Sequence, residues 1–383
     1  MVSDEMEVGG SQRQISYLLG GLDRSRWEPE LLFFRNESFM VRDLREQGIT
    51  VHQLRKRGRI DVGFVLRLAS LLRRGRYDMV HAYSLTAEFW TAVARLLVRQ
   101  APPQVSSVRN LHLTSSRVFW GLKQFAVRRS VAVIANAQAA AATTALRVNV
   151  PLEWFDVVPN GILPAVAPAA GEREAAREAL GVPEERVFGL FVGRLVTQKN
   201  LPCLVRALSQ LRAAERPWIA LAGQGPLQAD IQGLRDAAGL QADMRFLGER
   251  SDTLMLMKAA DFLVLPSLYE GMSNVLMEAM SVGCPVVASN VGGSAELIEH
   301  DVSGLLFASD DDSALSTLLR RLATEPSLRS RLSSEAAARI RSRYSIAQLV
   351  GATVAVYERC LAGTAPGHTR RRAMSAAGLD GDA

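Results

Sequence analysis

Short apolar runs alternate with stretches of helical spacing along the whole chain, and this alternation restricts the fold more than any other feature. It predicts βα units, and with them parallel sheets whose strands are buried on both faces. Strands are predicted at Glu30–Phe34, Ile49–Leu54, Asp78–Tyr83, Val105–Arg109, Val131–Asn136 and Asp156–Val158. A second set follows at Val187–Val192, Trp218–Ala222, Met244–Leu247, Phe262–Leu265, Pro285–Ser289 and Gly304–Phe307. Helices are predicted at Gln12–Leu19, Phe39–Gln47, Leu201–Arg212, Leu227–Ala238, Ser251–Ala260, Asn274–Val282, Ser313–Thr324 and Tyr344–Leu361.

Pro159 to Pro168 separates the two sets. Three prolines and a glycine in ten residues exclude a regular element and mark a linker. A length of 383 residues suits two domains. The expected division is 1–160, 161–343, a last helix over 344–362, and a disordered tail over 363–383, where no periodicity remains. The start of the chain breaks the pattern. A Rossmann-like domain opens with a buried strand, yet Met1 to Val8 contains no apolar run. The first strand is therefore expected to be missing or truncated, either lost from the chain or encoded upstream of this start. Its loss would cost about 2–3 kcal/mol per large side chain left unburied.

Among the second set, the segment Asp261 to Met280 carries the most chemistry. The run Phe262–Leu265 breaks at Pro266 and Ser267, a loop holds Glu270 and Gly271, and a helix opens near Ser273 and Asn274. Glu278 falls one turn further, on the face of Asn274. Two carboxylates and a helix N-terminus thus lie beyond the carboxyl end of a strand, where open α/β sheets bind ligands. Free N–H groups there suit a phosphate, and carboxylates suit sugar hydroxyls. Arg194 and Lys199 flank the turn after Val192 and could steady an anion such as a phosphate. Taken alone, each of these residues is equally an ordinary solvated charge.

These residues come with further wording: Gly193 to Asn200, Ala222 to Pro226, Phe246 to Gly248, Gly283 to Ala288 and Gly292 to Glu296, in that order. As a set they resemble glycosyltransferase family four, whose retaining members carry paired Glu residues with seven between them. The resemblance is dense in the second half and thin in the first. It implies the GT-B fold: α/β, with two Rossmann-like domains facing across a cleft, the last helix returning to the first. It also implies transfer of a sugar from a nucleoside diphosphate to an acceptor hydroxyl with retention, in bacterial envelope, exopolysaccharide or glycolipid assembly.

By the same resemblance the catalytic residues are Arg194, Lys199 and Glu270, with Glu270 on the transferred sugar. Glu278 binds the ribose. Gly271, Ser273, Asn274 and Val275 cradle the phosphates, while Gly223 turns the chain nearby. In the first half, Gly10 permits close approach to the donor phosphate. His81, Arg109 and Asn110 stand toward the sugar or acceptor, Arg109 and Asn110 where many members place a His; His112 follows. No cofactor and no metal are implied, the two cations and the helix end supplying the charge. A nucleotide-sugar epimerase of the same fold, or a silent nucleotide-sugar-binding protein, would share most of these residues. No G-x-G-x-x-G follows a first strand, which argues against a dinucleotide oxidoreductase.

Composition limits partners and place. The formal charge of +6 is carried mainly by Arg, without interleaved stacking aromatics or a nucleic-acid module. Eight of these residues fall in Arg55 to Arg76, around an apolar face of Phe64, Leu68, Leu71 and Leu72. Val118 to Arg129 likewise mixes Phe119, Trp120, Leu122 and Phe125 with Lys123, Arg128 and Arg129. Either is a core helix with a solvated basic face, or a contact with an anionic membrane surface that would suit a lipid-linked or saccharide acceptor. The first residues have no basic head or apolar core, so no signal peptide is expected. A cytoplasmic protein, peripheral at the inner face of the membrane, is the expectation. Cys203, Cys284 and Cys360 have no metal-like spacing and read as reduced.

Overall fold

The structure is a computed structural model that describes residues 1–58, 60–111, 113, 116–164 and 171–365. It forms two units, one of Met1–Gly161 with Ile346–Ala383, the other of Ile162–Ser345. The predicted tail lies outside the described residues from 366 on, as does His112.

The first unit holds β1 (Glu30–Phe33), β2 (Thr50–Gln53), β3 (Val80–Ala82), β4 (Gln104–Val108), β5 (Ala132–Ala135) and β6 (Phe155–Val157). β1 pairs with β2, and β3 to β6 pair in sequence, all parallel. The two groups are joined by the first residues of the chain. Val2 bridges Leu32 on one side and Ala82 on the other. Val2 N–H donates to the His81 carbonyl (2.8 Å) and Tyr83 N–H to the Val2 carbonyl (3.0 Å). Leu32 N–H donates to Met1 (2.8 Å) and Ser3 N–H to Leu32 (2.9 Å). The central place of the sheet is thus occupied, by a strand too short to show as an apolar run. Val2 is buried, and Met6 beyond it fully so.

The second unit holds β7 (Phe188–Val192), β8 (Trp218–Ala222), β9 (Met244–Gly248), β10 (Phe262–Leu265), β11 (Val286–Ser289) and β12 (Leu305–Phe307). They form one parallel sheet in the order β12-β11-β10-β7-β8-β9. Its core is as apolar as the runs predicted, with Phe188, Leu190, Ile219, Leu221, Leu263 and Val287 all inaccessible. In both units the strand order reverses beside the first strand, which opens a crevice at the carboxyl edge. In the second unit the reversal falls between β7 and β10.

Every predicted strand appears, with ends shifted by a residue or two, but five helices were not foreseen: Leu85–Arg95, Gln138–Val148, Glu172–Leu180, Gly292–Leu297 and Pro326–Arg343. Two have clear reasons. Gln138–Val148 is alanine-rich and has little contrast between its faces. Pro326–Arg343 is polar except for the single row Leu328, Leu332, Ala336 and Ile340, too narrow to mark a period. The helix Ile346–Leu361 belongs to the first unit, where Leu349, Val356 and Tyr357 join its core. The three cysteines are free and buried, and burial pushes the Cys203 and Cys360 thiols up to about 11.

A cavity of about 600 Å³ opens at the amino ends of β1 and β3, lined by Met1, Glu30, His52, Tyr77 and Tyr357 among others. It lies at the end of the strands opposite to the ligand-binding edge. The terminal ammonium of Met1 donates to the Glu30 carbonyl there, and burial lowers its pKa to about 6, Glu30 opposing. His81 is likewise kept neutral, held well below its usual range by burial, then by the terminal ammonium and Arg109. Both groups bind protons more weakly folded than unfolded, so stability rises with pH between the two pKa values. The ammonium acts between about 6 and 8, and His81 below 6.5. Each contributes a slope of about 1.4 kcal/mol per pH unit in its window. Unfolding midpoints in urea should fall from pH 8 to pH 5.5. Acetylating the terminus should flatten the upper end of that range, and His81→Asn the lower. Midpoints independent of pH would contradict this account.

Candidate functional site

The carboxyl ends of β7 and β10 are neighbours in the second sheet, and the loops that leave them are tied together. After β7 the chain passes Gly193, Arg194 and a single tight turn, Thr197–Lys199, before the helix Leu201–Ser209. Asn200 takes the left-handed conformation between them (φ 47°), which its short amide tolerates, and donates to Asp310 Oδ1 (3.1 Å). After β10, Ser267 to Ser273 leads to the helix Asn274–Ser281. Leu268 N–H donates to the Gln198 carbonyl (2.8 Å), and Gln198 Nε2 returns a bond to the Tyr269 carbonyl (2.8 Å). Lys199 Nζ meets Glu270 Oε1 at 2.5 Å, and Ser267 Oγ donates to the same oxygen at 2.6 Å. Both charged side chains are largely withdrawn from water.

Arg194 differs. Its side chain is exposed and has no hydrogen-bond or ion-pair partner among the described residues. A fixed lysine and an open arginine therefore leave the same turn. The helix Asn274–Ser281 begins beyond Ser273 without a side-chain cap, so its first N–H groups face the same edge. Gly271 and Ser273 are buried, Asn274 and Val275 half-buried, and Glu278 stands half-buried one turn along. The donor-side residues predicted in the second half of the chain are thus brought together on one edge of one unit, in an arrangement suited to an anion beside hydroxyls.

Glycine makes this edge possible. A Cβ on Gly223 would stand 2.0 Å from the Gly193 carbonyl oxygen, and one on Gly225 2.4 Å from that of Leu195. The turns after β7 and β8 are therefore stacked backbone to backbone, with Gly193 N–H on Ala222 O and Leu195 N–H on Gln224 O. Gly293, opening the helix Gly292–Leu297, backs the Glu270 loop in the same way: its Cβ would lie 2.4 Å from the Gly271 carbonyl oxygen. Sequence reading missed this role of Gly293, and also Ser267 and Gln198. Their polar contacts are made across loops, and no spacing within one element announces them.

In the first unit the predicted residues separate. His81 is buried, with Nδ1 on the Tyr357 hydroxyl (2.6 Å) and Nε2 on Ser107 Oγ (2.7 Å). Both ring nitrogens are taken, which corrects its assignment to a sugar or acceptor: it is a link inside the core. Gly10 begins the exposed amino end of the helix Gly10–Gly21. Arg109 and Asn110 follow β4, both half-buried. Arg109 donates to Asn160 Oδ1 (2.7 Å), and Asn110 Oδ1 accepts from Leu111 N–H (2.8 Å). Lys123 does not belong to a basic surface. It is buried on Glu88, 2.6 Å from Oε2, and donates to the Ser107 carbonyl (2.8 Å), while Ser107 N–H donates to Glu88 Oε1 (3.1 Å). The other basic stretch becomes the helix Val62–Gly75, with Phe64, Leu68 and Leu72 inward and Val62, Leu66, Arg67, Arg73 and Arg74 outward. Among the described residues no three His, Cys, Asp or Glu side chains converge as a metal group would. None of the described helices is long and apolar enough to cross a membrane.

Two family profiles match the chain in succession. Glycosyltransferase Family 4 covers residues 8–166, and Glycosyl transferases group 1 covers 172–339. Over 332 residues the chain is 30% identical to a D-inositol 3-phosphate glycosyltransferase of Salinispora arenicola, covering 79% of this chain and 73% of that protein. It is 28% identical over 274 residues to the UDP-Gal:alpha-D-GlcNAc-diphosphoundecaprenol alpha-1,3-galactosyltransferase of Escherichia coli, covering 68% and 70%. Anabaena HepE in complex with UDP and glucose superimposes with a TM-score of 0.83 over 93% of this chain and 98% of that one, at 22% identity.

The geometry separates the two cations experimentally. Lys199→Ala leaves Glu270 charged and largely buried without its partner, a loss of about 3–5 kcal/mol of stability. Arg194→Ala removes an exposed side chain and should change stability by no more than about 0.5 kcal/mol. Gly223→Ala must push the stacked turns apart and should also destabilise. Urea midpoints of the purified variants check all three. Equal midpoints for Lys199→Ala and Arg194→Ala would remove the asymmetry argued above.

Proposed function

The chain belongs to glycosyltransferase family 4 and is a glycosyltransferase of the GT-B fold, and on that premise we propose that it moves a sugar from a nucleoside diphosphate to an acceptor hydroxyl with retention of the anomeric configuration. The observation that carries the reading is the edge at β7 and β10, where Lys199 is fixed on Glu270 and Arg194 is left open beside an uncapped helix. As the bond from the anomeric carbon to the diphosphate oxygen breaks, negative charge gathers on the diphosphate. Arg194, Lys199 and the N–H groups from Gly271 to Val275 stabilise it. In this reading their charge takes the place of a metal. The acceptor oxygen bonds to the anomeric carbon on the face the diphosphate leaves, and its proton passes to a diphosphate oxygen. Glu278 accepts from the ribose hydroxyls and Glu270 from those of the sugar.

The names of two relatives bear on the acceptor. One names a diphosphoundecaprenol, the other an inositol phosphate. We take a lipid-linked or saccharide acceptor in envelope polysaccharide or glycolipid assembly as the reading for this chain, met at the cytoplasmic membrane surface. The outward face of Val62–Gly75 supports it, since exposed Val62 and Leu66 lie on the same helix as Arg67, Arg73 and Arg74. With Lys123 buried, the helix Arg117–Arg129 offers less.

Incubation with a panel of nucleotide sugars and acceptors, reading nucleoside diphosphate release and the product anomer by NMR, tests the reaction. Absence of transfer, or an inverted product, would defeat it. Arg194→Ala should weaken nucleoside diphosphate binding by about 1.5–3 kcal/mol in calorimetry. Glu278→Ala should weaken the bare nucleotide. Glu270→Gln should spare it and slow transfer, and the reverse pattern would exchange the two roles.

For the membrane, the protein should sediment with anionic vesicles at low salt and be released at 1 M, where the Debye length is about 3 Å. Replacing Arg73, Arg74 and Arg76 together by Gln should lower binding at unchanged melting temperature. Binding indifferent to both salt and the triple change would make the stretch an ordinary solvated face.

A further inference from the structure

Several buried or half-buried arginines of this chain are matched by acceptors of opposite charge or by several carbonyls. Arg173 and Arg177 share Asp261, Arg186 and Arg216 share Asp243, and Arg95 binds the carbonyls of Pro102 and Arg129. Arg109 of the first unit differs from these. It follows β4 at the carboxyl edge of the sheet, half-buried, and its one hydrogen-bond partner among the described residues is the neutral amide oxygen of Asn160. The guanidinium lies over the Tyr83 ring, 5.2 Å from its centre. Among the described residues, the titratable groups around it carry no negative charge: burial holds the Tyr83 and Tyr357 hydroxyls protonated, and His81 is neutral. Burial lowers the proton affinity of the guanidinium too, but arginine keeps its charge in proteins. Four of its five N–H donors have no partner among the described residues.

A second polar group stands at the same edge. Asn136, one residue beyond β5 and 2% exposed, donates Nδ2 to the Arg109 carbonyl (3.3 Å), while its Oδ1 has no partner among the described residues. An uncompensated cation and an unmet acceptor, both drawn from water, each cost stability. Packing around Tyr83 and Asn160 needs neither. A ligand with a negative group beside a hydroxyl would satisfy both.

We propose that Arg109 is the anion-binding residue of the acceptor subsite, so that the acceptor carries a phosphate or carboxylate, with Asn136 Oδ1 accepting from a neighbouring hydroxyl. This rests on the glycosyl-transfer reading and adds to it the charge of the acceptor and the residue that reads it. The donor diphosphate is served by Arg194, Lys199 and the helix end of the second unit, and Arg109 is a separate cation in the first.

Calorimetry on the full chain, saturated with a nucleoside diphosphate, tests this with three probes: glucose 6-phosphate, glucuronate and glucose. At least one charged probe should bind tenfold or more tighter than glucose, and which one does so tells phosphate from carboxylate. Arg109→Gln should bring the charged probe to the level of glucose, Arg109→Lys should keep some of the preference, and nucleoside diphosphate affinity should stay within twofold in both. If the wild type binds neither charged probe better than glucose, the proposal falls whatever the variants do. It also falls if Arg109→Gln weakens the nucleoside diphosphate as much as the charged sugar, since Arg109 would then serve the donor. A wild type that binds no nucleoside diphosphate at all would overturn the transfer reading and this proposal with it.

Discussion

A single ion pair ties the edge at β7 and β10 together. Lys199 and Glu270 leave adjacent strands at the point where the order of the sheet reverses, and their 2.5 Å contact closes the gap between the two loops. Everything else at that edge is arranged around this closure. Ser267 and Gln198 brace it, and Gly223, Gly225 and Gly293 let neighbouring backbones come close enough for the loops to stack. A pair so withdrawn from water is a poor source of net stability, because desolvation offsets most of the attraction. Its value is positional. It holds a cation and a carboxylate in fixed relation before any ligand arrives, and such preorganisation makes a charged site effective.

The first unit solves a similar problem without a charged pair at its edge. Its charges are set deeper, where Glu88 and Lys123 grip both backbone groups of Ser107, while His81 joins Ser107 to Tyr357 on the last helix. The end of β4 is thereby anchored from below, and Arg109 leaves it two residues later. Rigid support beneath a polar edge is common to both units; the chemistry of the support differs.

How much of this was legible in the sequence depended on the range of the interaction. Trp218–Ala222 and Phe262–Leu265 were read to the residue, because strands buried on both faces admit little but apolar side chains. Arg194, Lys199, Glu270 and Glu278 were singled out through the resemblance, whose wording is dense in the loops of this edge. The partnership of Lys199 with Glu270 was not, since 71 residues separate them. Lys123 was misjudged for a related reason. It sits among Arg residues on an amphipathic helix, and only the fold reveals Glu88 beneath it. The central strand of the first unit was expected to be missing or truncated because Val2 is nearly its whole apolar content. Its place is defined by backbone hydrogen bonds, which side-chain patterns do not record.

That strand has a mechanical consequence. The second sheet is continuous, each of its six strands laddered to the next. The first consists of a pair and a quartet sutured along a few amides near Val2. Sheets open where their ladders are shortest, and amide exchange reports such openings as separate cooperative blocks. Deuterium should therefore enter the first unit along a fault line, with Leu32 and Tyr83 exchanging ahead of the amides of β4 and β5, while the second unit exchanges as one piece.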